Sequence, residues 1–466
     1  MAGLFGVSIN PQEYEGRFGE DLYLGGFYGQ HNNEKNCGFA TKKDSDIDVI
    51  RAQGLVRANF KDKRYNFRGT EGIAYCGSAE EPFKCVSRWG KMALCFSGNV
   101  INCAEILSRV LKIRGVCERA DEAEIFAELI TEGDSVANGI NMLANDGVKG
   151  AFALLVLTKD GIHAISAPHN QWPLVIGQKR GAVAVATEST GFSNMGFETI
   201  RTLGPREMIL LNNGKIETIA EATNHSAVCK FLGVYTANPT AKICGIPVSL
   251  IRKELGGALA QKDIDSGLIP DRTCCVPDSG RFHLYGYHQR FCKAVNDRQI
   301  SRVPLLDGPL VKYSYAGRSF MFASAAERLW EAHTKILQGS ECFDGEVLVI
   351  LEDSVVRGSQ FAPFDFEDPE TGMKFSFPGL AKKLRDMGFK EIHLRAANPE
   401  LLSHCPWGKT TKAGETLVDR FPALEDRAAF LGVDSLRYNS LEDLYSVYEK
   451  LGLPRHRLCV DCALRH

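Results

Sequence analysis

At 466 residues the chain is too long for one ordinary hydrophobic core, so two domains are expected. Its 55 basic and 57 acidic residues leave a formal net charge of -2, which provides no field for nucleic acid or for an anionic membrane surface. The opening MAGLFGVSIN lacks a basic and then apolar leader pattern, and no later segment approaches ~20 consecutive apolar residues, so a cytoplasmic protein is expected. Fifteen cysteines in a reducing compartment then read as buried thiols or metal ligands in preference to disulfides.

In chain order, the pattern is first that of strands and hairpins. Phe152 to Leu157 is an apolar run, Lys159-Asp160-Gly161 supplies a turn, and Ile162 to Ile165 returns, which predicts a hairpin. A second pair of strands is predicted at Ala182 to Ala186 and Met208 to Leu211. After Cys229 the pattern changes. Helices such as Leu250 to Ala260 and Leu380 to Met387 alternate with strands such as Glu391 to Leu394, which predicts a doubly wound α/β unit and a boundary at 222–230.

The densest functional signal is VLVILEDSVVRGSQ, from Val347 to Gln360. Its first five residues form a continuous apolar run of strand length, suited to a parallel strand covered on both faces. Polar chemistry follows at the carboxyl end. Glu352 and Asp353 can accept hydrogen bonds from vicinal ribose hydroxyls or hold a divalent cation. The backbone from Ser354 through Val355, Val356, Arg357, Gly358 and Ser359 can wrap a phosphate, with Gly358 permitting close approach. Taken alone, the segment also fits an ordinary strand followed by a polar turn.

This run resembles the phosphoribosylpyrophosphate (PRPP) loop of type I phosphoribosyltransferases, and the whole chain resembles the glutamine PRPP amidotransferase family. Three further segments carry the likeness. Cys275 to Gly280 resembles the family's pyrophosphate loop, which implies that Asp278, Ser279 and Gly280 meet the diphosphate. KYSYAGRSF, from Lys312 to Phe320, resembles its flexible loop, with Ser314 where the family has an arginine. Gly388 to His393, followed by AANPELLSHCPWG, is similar to its next strand and cysteine-containing loop. The resemblance implies that Glu352 and Asp353 orient the ribose, that Ser279, Glu352 and Asp353 hold Mg²⁺, and that Lys312 and Arg318 neutralise departing pyrophosphate. It departs after RGSQ, where an insertion of roughly FAPFDFEDPETGMKFSF carries Asp365, Glu367, Asp368 and Glu370. A surface excursion is expected there in preference to a reshaped acceptor pocket.

The N-terminal half, through GAFALLVLTKDGIHAIS, AVATEST and LGPREMILLNNGKI, resembles the class II glutaminase domain. The implied fold is an α+β Ntn-hydrolase-like αββα sandwich over 1–228, joined to an α/β type I phosphoribosyltransferase domain with a central parallel sheet over 229–466. The family's nucleophilic cysteine is replaced by Ala2, whose methyl group cannot attack an amide. No arginine lies between Arg68 and Arg88, where the family clamps the glutamine carboxylate. The oxyanion segment reads Phe96-Ser97-Gly98-Asn99, and Asp121 matches the acid that binds the glutamine amine. Cys37, Cys76, Cys85, Cys95 and Cys103 are expected to be buried structural thiols.

Cys459-Val460-Asp461-Cys462 alone fits zinc, a redox pair or no ligand. The resemblance to the iron-sulfur branch implies that Cys229, Cys405, Cys459 and Cys462 hold a 4Fe-4S cluster. The implied activity is transfer at PRPP without the chain's own glutaminase, using ammonia or a purine-like base or nucleotide. The alternatives are glycosidic cleavage of a nucleotide that releases a base, and a non-catalytic scaffold or regulator of a partner enzyme. The resemblance also implies a homo-oligomer, a dimer or tetramer.

Overall fold

The computed structural model describes the whole chain apart from residues 1, 45, 64–65, 115–118, 120, 146–147, 168–170, 224–226, 315–324, 368–371, 409–410, 412–413 and 466. The N-terminal half is built on two stacked antiparallel sheets. Seven strands run in the order Glu198–Thr202, Val175–Lys179, Ala182–Ala186, Gly3–Ile9, Glu71–Gly77, Asn36–Lys43, Asp46–Gln53. Six run in the order Lys215–Ala220, Met208–Asn212, Gly161–Ser166, Gly150–Thr158, Gly90–Val100, Phe83–Ser87.

Side-chain alternation explains the layers. Along Gly150–Thr158, Ala153, Leu155 and Leu157 enter the core between the sheets, whereas Phe152, Leu154 and Val156 enter the core beneath the helices Cys103–Arg114, Glu122–Glu132 and Val136–Asn145. The strand is covered on both faces, so it reads as a continuous apolar run although its sheet is antiparallel. The helix Phe18–Gly29 covers the other sheet through Phe18, Leu22 and Tyr23. The predicted hairpin forms, with Leu157 opposite Ile162. The second predicted pair does not: Ala182–Ala186 lies between Val175–Lys179 and Gly3–Ile9, and Met208–Asn212 pairs with Gly161–Ser166 in the other sheet. Both segments are apolar and of strand length, and nothing local in either one selects its sheet.

His163 on the strand Gly161–Ser166 is 5% exposed, and neither ring nitrogen has a partner among the described residues. Burial pushes its pKa down to about 4. A folded-state pKa below the unfolded value of about 6.5 means that the unfolded chain binds the proton first. This contribution to stability is therefore complete above that value and is lost as pH falls toward 4, by up to about 3 kcal/mol. Melting temperature followed against pH should show this slope in the native protein, and His163→Leu should reduce it, the buried His283 and His333, also lowered to about 4, carrying the remainder.

The C-terminal half holds a five-stranded parallel sheet in the order Leu305–Leu306, Arg272–Cys275, Val347–Glu352, Glu391–Ala396, Ser435–Tyr438. Val347–Glu352 is central. Val349 and Leu351 enter the core shared with helix Val248–Asp265, while Leu348 and Ile350 enter the core shared with helix Leu380–Asp386. The two halves meet where Val228–Cys229 pairs in parallel with Leu458–Cys459. Among the described residues, no helix is long and apolar enough to cross a membrane.

Candidate active site

The central strand ends at Glu352, and Asp353 begins the turn beyond it. The adjacent strand fixes their main chain, because Ala397 N donates to Glu352 O at 2.9 Å and Asn398 N donates to Asp353 O at 2.8 Å. Both acids are buried. Glu352 Oε1 accepts from Ser279 Oγ at 2.9 Å and from Asp353 N at 3.1 Å, while the buried Oε2 has no partner among the described residues. Asp353 Oδ1 accepts from Ser354 Oγ at 2.6 Å. Burial, reinforced by the charge of Asp353, pushes the Glu352 carboxyl well above the usual carboxylate range, against the opposing influence of Lys335 and Ser279.

Beside the acids opens a cleft of about 1070 Å³ that is continuous with solvent. It is lined by Ser279, Glu352, Asp353 and the whole of Ser354, Val355, Val356, Arg357, Gly358 and Ser359. Gly358 has φ +74, and a Cβ there would stand 2.6 Å from a Leu431 methyl, so the turn needs glycine on two counts. Leu417 N donates to Val356 O at 2.7 Å, and Arg357 pairs with Glu415, which ties the loop to the segment after the fourth strand.

A second, open pocket, about 630 Å³ of space continuous with solvent, adjoins Asp278, Arg281, Lys312 and Ser314. Lys312 Nζ lies 3.9 Å from Asp278, which also pairs with Arg281. Gly280 precedes the helix Arg281–Asn296, and its Cβ would meet Leu351 O at 2.3 Å, so glycine lets this turn press against the acid-bearing strand. Arg318 lies outside the described residues.

Three groups at the site were not anticipated from sequence. Lys335 lines the main cleft and senses the charge of Glu352 and Asp353, although burial lowers its pKa. Arg281 lines the second cavity, and its position directly after PDSG was the available signal. Phe231, Tyr235 and Phe361 line the main cleft from segments far apart in the chain.

The insertion is not merely an excursion. Phe364–Glu367 and Lys374–Phe377 form a hairpin whose aromatic side packs on the helix Ala325–Thr334. His333 stacks against Phe364 and Phe377, and Trp330 meets Phe375 and Phe377 edge to face. Its Asp365 accepts from Ser376 Oγ at 2.7 Å and Glu367 faces Lys374 at 3.5 Å, whereas Asp368 and Glu370 lie outside the described residues.

In the N-terminal half, Ala2 is buried and its amide donates to Ser97 Oγ at 3.0 Å, which in turn donates to Ala2 O at 2.9 Å. Asp121 caps the helix Glu122–Glu132 by accepting from Glu124 N at 3.0 Å, and it pairs with Arg119. Burial raises the thiols of Cys76 and Cys95 well above their ordinary value, Cys37 to about 11 and Cys85 to about 12, and it raises Cys103 as well. Such thiols are poor nucleophiles.

The four remaining candidate cysteines come together at the junction of the halves. Cys229 stands opposite Cys459 in the parallel ladder, and Cys462 O accepts from Leu402 N at 3.0 Å and Ser403 N at 3.2 Å, on the approach to Cys405. Lys230 is fully buried among them, donates to Asn398 Oδ1 at 2.7 Å, and senses the charge of all four thiols. Burial raises Cys459 to about 12 and Cys462 to about 11. Among the described residues no group of three or more His, Cys, Asp or Glu is arranged around one metal ion. A 4Fe-4S cube holds each thiolate on a different iron, so its ligands need not converge on one point, and four thiols around a buried cation suit its net negative charge.

No family model matches the chain. It is similar to the amidophosphoribosyltransferase of Methanocaldococcus jannaschii, at 26% identity over 99% of this chain and 96% of that protein. It is likewise similar to that of Archaeoglobus fulgidus, at 27% identity over 99% and 96%. Among solved structures, the glutamine PRPP amidotransferase of Bacillus subtilis, complexed with ADP and GMP, superimposes with a TM-score of 0.80 at 23% identity, covering 99% of this chain and 96% of that one. The fold is therefore that of an Ntn-type glutaminase domain joined to a phosphoribosyltransferase domain. The likeness to amidophosphoribosyltransferases, which are pentosyltransferases, runs along nearly the whole of both chains, in sequence as in fold.

Proposed function

We propose that the protein is a phosphoribosyltransferase acting at the anomeric carbon of PRPP, without a glutaminase of its own. The observation that carries this reading is one cleft holding an acid pair with an unpartnered buried oxygen, the Ser279 hydroxyl and the Ser354 to Ser359 turn. Glu352 and Asp353 accept the ribose hydroxyls, and the turn receives the 5′-phosphate. Ser279, Glu352 and Asp353 offer the oxygen ligands that Mg²⁺ prefers, and Mg²⁺ supplies charge neutralisation to the diphosphate. Lys312 and Arg281 face the second cavity, where negative charge accumulates as the C1–O bond breaks and positive charge develops on the sugar. Arg281 offers a guanidinium in the cavity that Ser314 leaves without the family's loop arginine.

Loss of the glutaminase rests on Ala2 and on the missing clamp arginine. The reading extends to a 4Fe-4S cluster on Cys229, Cys405, Cys459 and Cys462, supported by their assembly around Lys230. Calorimetric titration with PRPP, pyrophosphate and nucleoside monophosphates in the presence of Mg²⁺ tests the transferase. PRPP and pyrophosphate should bind, glutamine should yield no glutamate, and Arg281→Ala should weaken pyrophosphate about tenfold, equivalent to ~1.4 kcal/mol. Failure of all three ligands to bind would leave a scaffold as the function.

A further inference from the structure

The turn assigned to the 5′-phosphate ends where the insertion begins, and three successive carbonyls at that end are held by groups of the insertion or of the helix it packs on. Gly358 O accepts from Phe361 N and Ala362 N, each at 3.0 Å, and Gln360 O accepts from Leu380 N at 3.1 Å, where the inserted chain returns. Between them, the ring of His333 donates to the main-chain carbonyl of Ser359, a bond that opposes the lowering of its pKa by burial. His333 Nε2 has no partner among the described residues, so the donor is Nδ1.

A trans peptide is planar, and its C=O and N–H point in opposite directions. Neither Gly358–Ser359 nor Ser359–Gln360 is cis. Holding Gly358 O and Ser359 O toward the insertion and His333 therefore aims the amides of Ser359 and Gln360 the other way, and both residues line the cleft. Adjacent N–H groups of this kind suit a phosphate dianion.

The insertion in turn fixes His333. The rings of His333, Phe364 and Phe377 lie within 24° of parallel, with centroids 5.6, 5.7 and 6.4 Å apart. Trp330, on the same helix Ala325–Thr334, meets Phe375 and Phe377 edge to face. Such contacts restrict the imidazole to one orientation. His333 is buried, and burying an imidazole with one nitrogen unsatisfied is unfavourable, whereas an apolar side chain would fill the same space without that cost. Packing alone therefore does not account for a histidine here. Ala332 and Lys335, on either side of it in the chain, both line the cleft.

We propose that His333 is the positioning residue of the phosphate turn, and that the inserted hairpin holds it in place. The hairpin fixes the imidazole, the imidazole fixes the Ser359 carbonyl, and the Ser359–Gln360 peptide then presents its N–H to the 5′-phosphate. This proposal rests on the transferase reading given above. Its effect falls on the phosphorylated ribose and not on pyrophosphate, whose pocket at Asp278, Arg281 and Lys312 is separate.

Calorimetry on the full-length protein with Mg²⁺, titrated separately with ribose 5-phosphate and pyrophosphate, tests it. His333→Phe keeps an aromatic ring in the stack and removes the donor. It should weaken ribose 5-phosphate about tenfold and change pyrophosphate by no more than about twofold, with a melting temperature at or above the native value. Phe377→Leu leaves the donor in place but loosens its stack, and it carries the test if the first variant fails to fold. It should weaken ribose 5-phosphate about threefold and spare pyrophosphate. Native affinity for ribose 5-phosphate in His333→Phe, or in Phe377→Leu where that variant carries the test, would overturn the proposal and leave the transferase reading intact. Equal losses toward both ligands would show that the ring serves the fold, and would also overturn it. A native protein that binds neither ligand would overturn both.

Discussion

Replacing Glu352 and Asp353 together by alanine should reduce turnover by at least on the order of 10³-fold, with the fold retained. The two acids sit at the end of the central strand, and their backbone carbonyls are held by Ala397 and Asn398, so alanine leaves the ladder in place. What is lost, under the proposed function, is the negative charge that would grip the sugar and balance positive charge developing at C1. Stability should move the other way. Two adjacent buried carboxyls repel, and burial already forces Glu352 toward its protonated form, so their removal relieves an unfavourable arrangement in the ligand-free protein. The paired observation is a melting temperature at or above that of the native protein together with absent pyrophosphate release. Undiminished turnover would exclude this class of chemistry. Loss of both activity and thermal stability would assign the acids a structural role.

The acid-bearing strand was legible because its environment is uniform: a central parallel strand buried on both faces must be apolar throughout, and the chemistry must begin where the apolar run stops. The hairpin at Leu157 and Ile162 was legible because one short turn determines its pairing. Ala182–Ala186 and Met208–Asn212 show the limit. Each was recognisable as a strand, but pairing across tens of residues is decided by which buried faces meet in the folded core, and no dipeptide records that. Lys335 was missed for a related reason. It is a lone lysine just beyond a helix, and only the tertiary fold brings it close enough to sense the charge of the acids. The insertion was legible in part, its described charges being exposed as expected. Asp365, Glu367, Asp368 and Glu370 suggested solvent, while the alternating Phe364, Phe375 and Phe377 carried the packing.

Substituting Cys459 and Cys462 together by serine should release the C-terminal segment from the domain junction. What otherwise holds it is a two-residue parallel ladder, the amides of Leu402 and Ser403 donating to Cys462 O, the Trp407 Nε1 donation to Asp461 Oδ2 at 3.0 Å, the Ser403 hydroxyl reaching Leu464 O at 2.8 Å, and the burial of Val460 and Ala463. A ligated cluster would join three separate segments through covalent metal–sulfur bonds, and its loss removes them all at once. Protein purified without oxygen should carry about four irons per chain if all four thiolates hold one cube. The double serine variant should lose that iron and become sensitive to proteolysis near the C-terminus. Lys230 gives the sign of a second test. Its ammonium is fully buried and donates to the amide oxygen of Asn398, with the Phe231 ring centroid 5.8 Å away, so four neutral thiols leave a cation poorly compensated, whereas a negatively charged cluster offsets it. Lys230→Met should therefore raise the melting temperature of iron-free protein and weaken retention of iron in the loaded form. One zinc per chain, or a C-terminus equally protected with and without metal, would exclude the cluster as the clamp, because in either case packing or a single ion would hold the segment unaided.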